Sequence, residues 1–249
     1  MRVSFIVAFA AIVFVSCADS NRGAGDNVVP VFEEQHFGRQ CENVNIDIGC
    51  QRIANANGNA VWERIDMENC MRTLPHLDTD TIRVAADIMP AVEAFVESFC
   101  RDAQDLGVEY VYTIHQEPLY SRDNTVLCYQ TETYTYAGGA HAVEELYFDC
   151  YDVDSGRSYD FGYLLDRDSE WGVAVAELLS SKLMAQHGDM LFDVSADGVY
   201  MPESVLITDT GLLLVYQPYE LAPYSYGMVT VELTDEELAA TGASLVWGH

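Results

Sequence analysis

Cys128 and Cys150 each stand eleven residues from Gly139, one on either side, in a stretch rich in strand-forming residues. Thr125–Tyr136 alternates, with Tyr and Thr abundant. Ala137-Gly138-Gly139-Ala140 reads as a turn, and Val143–Val153 as the return strand. In a hairpin centred on Gly139 the two cysteines face each other. Opposed strand residues have Cβ atoms ~4.5–5.5 Å apart, so a slight local twist closes a disulfide. A two-residue turn at Gly138-Gly139 would instead set Cys128 opposite Asp149, because a slip of one residue changes every partner.

The pattern around this hairpin alternates between classes. Val44–Ile48 suggests a short strand within a mixed stretch over 29–53, and Ala54–Ala60 a loop of small polar residues. Residues 80–105 read as a helix with Ile88, Val92, Phe95, Val96 and Phe99 on one stripe. Pro90 fits its first turn and Gly107 lies past its end. Val108–Glu117 turns to strand composition. Ser169–His187 predicts a second helix faced by Trp171, Val175, Leu178, Leu179 and Leu183, with Asp168 as N-cap and Gly188 as C-cap. Val205–Ile207 and Leu212–Tyr216 predict a hairpin, Met228–Leu233 a last strand, and Thr234 the cap of a short helix. Strands with helices inserted between them give an α+β class: an antiparallel sheet with helices packed against it, one folded unit over 29–249.

The amino terminus reads as a targeting segment. Arg2 precedes an apolar run from Val3 to Val15, which is too short to span a bilayer. The run ends in Phe14-Val15-Ser16-Cys17, which resembles a lipobox, although Phe14 stands where Leu is preferred. Residues 1–16 are therefore expected to be a lipoprotein signal peptide, Cys17 the lipidated residue, and 17–28 a flexible tether. The expected location is the cell envelope, with a membrane reached only through the lipid.

Of seven cysteines, assigning Cys17 to lipid leaves six. In an exported chain six imply three disulfides, although spacing alone allows ~15 pairings. With Cys128–Cys150 taken, Cys41–Cys50 and Cys70–Cys100 are the simplest remaining pairs. No C-x-x-C occurs and no His sits at ligand spacing from a cysteine pair, so no metal and no cofactor are expected.

Charge narrows the partners. There are 12 Lys+Arg against 40 Asp+Glu. Without residues 1–16 the count is 11 against 40, a charge of −29. Such a surface repels nucleic acid and anionic lipid, and attracts basic proteins. It also serves solubility.

Two segments are the most specific. Tyr134-Thr135-Tyr136-Ala137-Gly138-Gly139-Ala140-His141 is followed by Phe148-Asp149 and Gly156. Tyr216-Gln217-Pro218-Tyr219-Glu220-Leu221-Ala222-Pro223-Tyr224 is followed by Gly227. Their order and spacing resemble the RsiV-type extracytoplasmic domain over residues 108–240. In the resulting organisation 29–107 is an amino-terminal portion and 108–249 the RsiV-like portion. The resemblance implies an α+β fold and a binding role, since the family includes the lysozyme-binding part of an anti-sigma factor. It also accompanies a peptidoglycan deacetylase, but that activity belongs to a separate metal-binding domain.

Both segments also have architectural readings. Gly138 and Gly139 suit a tight turn, Pro218 and Pro223 a bend, and tyrosines can pack on a sheet. The candidate ligand contacts are Tyr216, Tyr219, Tyr224 and Tyr226, four tyrosines around two prolines. His141 reads as a turn-stabilising residue, since one histidine near Glu144 and Glu145 is not a site. Asp152-x-Asp154-x-Gly156-x-Ser158-x-Asp160 only faintly resembles a calcium loop, because Tyr163 stands where a bidentate Glu is needed. No catalytic signature appears. The expectation is a noncatalytic envelope lipoprotein binding a basic protein or a peptidoglycan-related ligand. The alternatives are an envelope enzyme acting on peptidoglycan or glycan, or a structural envelope protein.

Overall fold

Val44, Ile46 and Ile48 are buried while Asn45 and Asp47 between them are exposed, so this strand turns one face to the core. It is β2 (Val44–Ile53), and it pairs antiparallel with β1 (Phe32–Cys41). The computed structural model describes residues 29–74, 82–104, 107–192 and 194–243. The signal segment, Cys17 and the tether lie outside the described residues. Two helices follow, α1 (Ala60–Thr73) and α2 (Ile88–Gln104), and then β3 (Tyr110–Ser121), β4 (Val126–Tyr136) and β5 (Val143–Asp152). The five strands form one sheet in sequence order.

The sheet is not wholly antiparallel as expected: β2 and β3 run parallel, from Val44 opposite Tyr110 to Ile48 opposite Ile114. The two helices between them provide the long crossover that a parallel neighbour requires. A second, three-stranded antiparallel sheet also forms, from β6 (Ser204–Ile207), β7 (Gly211–Tyr216) and β8 (Val229–Thr234). With α3 (Gly172–His187) and α4 (Asp235–Ala240), it completes a mixed α+β fold.

Val92 and Val96 of α2 pack with Val44, Ile46, Ile48 and Ile114 under the large sheet. Val175, Leu179 and Leu183 of α3 pack on the small sheet, in a cluster that also takes in Val126, Cys128 and Cys150 of the large one. This shared core joins the two sheets. α3 begins at Gly172 rather than after Asp168. Ser169 Oγ instead accepts from the Gly172 amide at 2.9 Å, and Trp171 occupies the cap position. Gly188 ends the helix at φ +61°, as its composition suggested.

Cys128 stands opposite Cys150 and the two are bonded, with Cα atoms 4.0 Å apart. The other expected pairs do not form: Cys41 is bonded to Cys100, tying β1 to α2, while Cys50 and Cys70 are free. The bond to Cys41 takes Cys100 from Cys70, and the β1–β2 register rules out Cys41–Cys50. Cys50 lies opposite Gln35, and Cys41 is six residues further along β1. At ~3.3 Å per residue that is about 20 Å, beyond any disulfide.

Between α1 and the sheet lies a buried polar network. Arg52 Nε and Nη2 donate to the Asp66 carboxylate at 2.6–3.1 Å, and Asp66 Oδ1 also accepts from the Ile53 amide. The fully buried Gln116 accepts from the Gln51 amide and Asn69 Nδ2, and its Nε2 donates into a cluster of Asn69 Oδ1, Thr73 Oγ1 and Thr131 Oγ1, each within 3.0 Å. Each buried polar group here has its partners, which keeps its desolvation from becoming a large penalty.

Candidate binding site

The two segments singled out in the sequence meet at one corner of the molecule. Gly138 (φ +79°) and Gly139 (φ +103°) carry the chain from β4 to β5 through a conformation that only glycine adopts freely. His141 follows on that loop. Opposite it, the chain leaving β7 turns over residues 217–220, closed by the Glu220 amide donating to the Gln217 carbonyl at 3.1 Å. Pro218 holds the first central position of the turn and Tyr219 the second, at φ +75°. That is the position where a type II turn favours glycine.

The turn docks on the edge of β5 by imitating a strand. Gln217 Oε1 accepts from the Leu146 amide at 3.0 Å, and Gln217 Nε2 donates to the Leu146 carbonyl at 2.7 Å. Ser204 Oγ donates to the same carbonyl at 2.8 Å. Further along, Tyr224 OH donates to the Ala142 carbonyl at 2.6 Å. The second sheet thus holds the loop against the first through side-chain bonds to backbone groups that an edge strand otherwise leaves to water.

These contacts assemble three rings. The His141 imidazole stacks on Tyr224, with centroids 3.7 Å apart and planes 13° from parallel. Tyr219 lies 5.5 Å from Tyr224, and its hydroxyl is 3.4 Å from His141 Nε2. His141 Nδ1 is 3.2 Å from the Ala142 carbonyl, so the tautomer protonated at Nδ1 donates there and leaves Nε2 to accept from Tyr219. Tyr219 is 56% exposed.

Carboxylates flank the same edge. Tyr147 OH donates to Glu145 Oε1 at 3.2 Å, and Glu220 Oε2 accepts from the Gln217 amide at 2.6 Å. Burial pushes the Glu220 carboxyl above its ordinary range, against the pull of that amide, and Glu203 and Glu145 add to the rise. Burial, with Glu145 beside it, holds the Tyr147 phenol well above its usual value.

Of the four candidate tyrosines, Tyr219 and Tyr224 belong to this corner. Tyr216 does not: it is fully buried at the end of β7, where its hydroxyl donates to the Tyr200 carbonyl at 2.7 Å. Tyr226 turns the other way and packs on the small-sheet core. Its hydroxyl bonds His187 Nδ1, whose Nε2 meets the Thr230 carbonyl. His141, read as a turn residue, is instead the ring that joins the two tyrosines, and Gln217 is the unforeseen docking residue. The adjacency of Gly138-Gly139 to His141 and of Pro218 to Tyr219 is the signal that marks both. The carboxylates of the faint calcium-like stretch serve local turns: Asp152 Oδ1 accepts from the Ser155 amide, and Asp160 Oδ1 from the Gly162 amide. Among the described residues no group of three or more His, Cys, Asp or Glu is placed to hold a metal ion.

Residues 168–236 match the profile of a family described as protein of unknown function (DUF3298). That span contains the 217–226 loop and omits His141. Among solved structures, the chain is similar to a DUF3298 family member from Bacteroides fragilis at 18% identity and a TM-score of 0.68, covering 84% of this chain and 91% of that one. It is also similar to a DUF3298 family protein from Pseudomonas aeruginosa at 18% identity and a TM-score of 0.60, covering 86% and 95%. No curated protein matches the chain. At this identity the likeness is one of fold.

Proposed function

We propose that this chain is a noncatalytic, exported lipoprotein of the cell envelope, and that the corner formed by Tyr219, His141 and Tyr224 contacts a cationic protein of the lysozyme kind. The observation that carries the reading is Tyr219. It is 56% exposed and sits at φ +75°, where glycine would be free of strain. Folding gains little from an exposed ring in that conformation. Strain kept at an exposed aromatic side chain fits a recognition role, since tyrosine is among the residues that dominate interface energetics.

Charge supports the choice of partner. The whole chain carries −28, and Glu145, Glu203 and Glu220 gather around Tyr147 on the edge where the Tyr219 loop docks. Such a field speeds encounter with a cationic protein. The resemblance of residues 108–240 to the RsiV-type domain, a family that includes a lysozyme receptor, points the same way. The envelope location rests on the apolar run and on Cys17 in the lipobox-like ending.

Size-exclusion chromatography of the protein mixed with lysozyme, in buffer containing 0.3 M salt, tests the reading. Co-elution is expected. Separate elution of the two proteins would overturn it.

A further inference from the structure

Cys50 and Cys70 are the two cysteines left after the bonds Cys41–Cys100 and Cys128–Cys150 are assigned. They approach each other across the interface between β2 and α1. Their sulfurs are 3.7 Å apart, and the residues are 4% and 0% exposed. A disulfide needs its sulfurs about 2.05 Å apart. The sulfurs thus stand about 1.7 Å beyond bonding distance. Among the described residues, the hydrogen-bond contacts of Cys50 Sγ are Cys70 and, at 3.8 Å, Gln116 Oε1, whose stronger donors are the Gln51 amide and Asn69.

We infer that Cys50 and Cys70 form a third disulfide, which pins α1 to the large sheet beside the Arg52–Asp66 pair. The step is thiol–disulfide exchange with an external disulfide, such as glutathione disulfide or an oxidoreductase in its oxidised form. One thiolate attacks that disulfide and expels a thiolate from it. The second cysteine attacks the mixed disulfide and expels the other half. Two electrons and two protons pass from the cysteine pair to the external disulfide, which leaves as two thiols. In the finished fold, the hydrogen bond with Cys50, and then burial, hold the Cys70 thiol far above its ordinary pKa, so little thiolate is present. With both residues buried, the closed bond is shielded from reductants.

The consequence reaches the polar network. α1 brings Asp66, Asn69 and Thr73 to Arg52 and Gln116. A bond at Cys70 fixes the helix between these partners, with 20 residues separating the linked positions.

The test uses the wild-type chain and needs no variant. Reduced, denatured protein is refolded with glutathione disulfide, unfolded again in guanidinium with an alkylating agent, and mapped by mass spectrometry without reduction. The expected result is a peptide joining Cys50 to Cys70 and complete loss of alkylation at both. Alkylation of both cysteines overturns the inference, and so does either one joined to a different cysteine. Folded protein exposed to the alkylating agent before unfolding provides a second reading. Labelling of either cysteine under those conditions contradicts the shielding.

Discussion

The imidazole of His141 lies parallel to the ring of Tyr224, 3.7 Å from centroid to centroid, across a junction between two sheets. The loop bearing Tyr224 begins at Tyr216 of β7, and the loop bearing His141 connects β4 to β5. The stack is therefore a product of docking, and it reports whether the corner is assembled.

Tyr219 sits at φ +75°. A non-glycine residue there costs roughly 1–2 kcal/mol. Tyr219→Ala and Tyr219→Gly both remove the ring, but only glycine relieves the backbone. The glycine variant is expected to be the more stable of the two by about 1 kcal/mol in urea unfolding. Both are expected to lose partner binding. Equal stability of the two variants would mean that the turn carries no strain.

Gln217→Ala strips both partners supplied by that side chain from Leu146 and leaves Ser204 on the carbonyl. The expected cost is about 1–3 kcal/mol, the range for a buried group left unpaired. The same change should release the His141–Tyr224 stack, read as broadened ring signals of both residues in NMR spectra.

The Arg52–Asp66 pair gives a test in the other half of the fold. Both residues are buried, at 7% and 3% exposure. Asp66→Ala leaves a buried guanidinium without its carboxylate and is expected to cost about 3–5 kcal/mol. The double variant Arg52→Met/Asp66→Leu should cost less than the single one, because it buries no unpaired charge. Chemical denaturation of the single and double variants checks the order.

Two carboxylates should give opposite pH signatures. Burial raises the Glu220 carboxyl above its ordinary 4.5. Stability associated with it is present below that value and is lost as pH rises through the folded-state value. Glu220→Gln keeps an acceptor for the Gln217 amide, so the variant should gain on the wild type as pH rises through that window and keep a constant advantage above it. Glu237 is lowered, first by its bond from Lys182 Nζ at 2.6 Å. Its contribution is present above 4.5 and is lost as pH falls through the folded value. Glu237→Gln should therefore be destabilising at neutral pH and lose its effect in acid. Thermal unfolding of the three proteins between pH 3 and 8 resolves the signs.

The hairpin was legible because the Gly138-Gly139 turn and two cysteines mark one register. α2 was legible because Ile88, Val92 and Val96 keep helical spacing. α1 escaped because its buried face includes Asp66, Asn69 and Thr73, polar residues that erase the apolar stripe while serving Gln116 and Arg52. The parallel β2–β3 pairing escaped with it, since the crossover it requires runs through that helix. At the corner, Tyr219 was visible as an aromatic residue after proline. Tyr216 was misread because the burial of β7 continues to its last residue. The partnership of His141 with Tyr224 joins residues of separate loops, which spacing along the chain does not encode.

Isothermal calorimetry with lysozyme tests the central claim most directly. It is run on the wild type and on Tyr219→Ala, at low salt and at 0.3 M, where the screening length is roughly 5–6 Å. Exposed charge alone gives association that salt abolishes, whereas a packed aromatic contact persists. The account predicts wild-type binding that survives 0.3 M salt and a loss of about tenfold or more in affinity for Tyr219→Ala. Binding that vanishes with salt, or that Tyr219→Ala leaves unchanged, would contradict it.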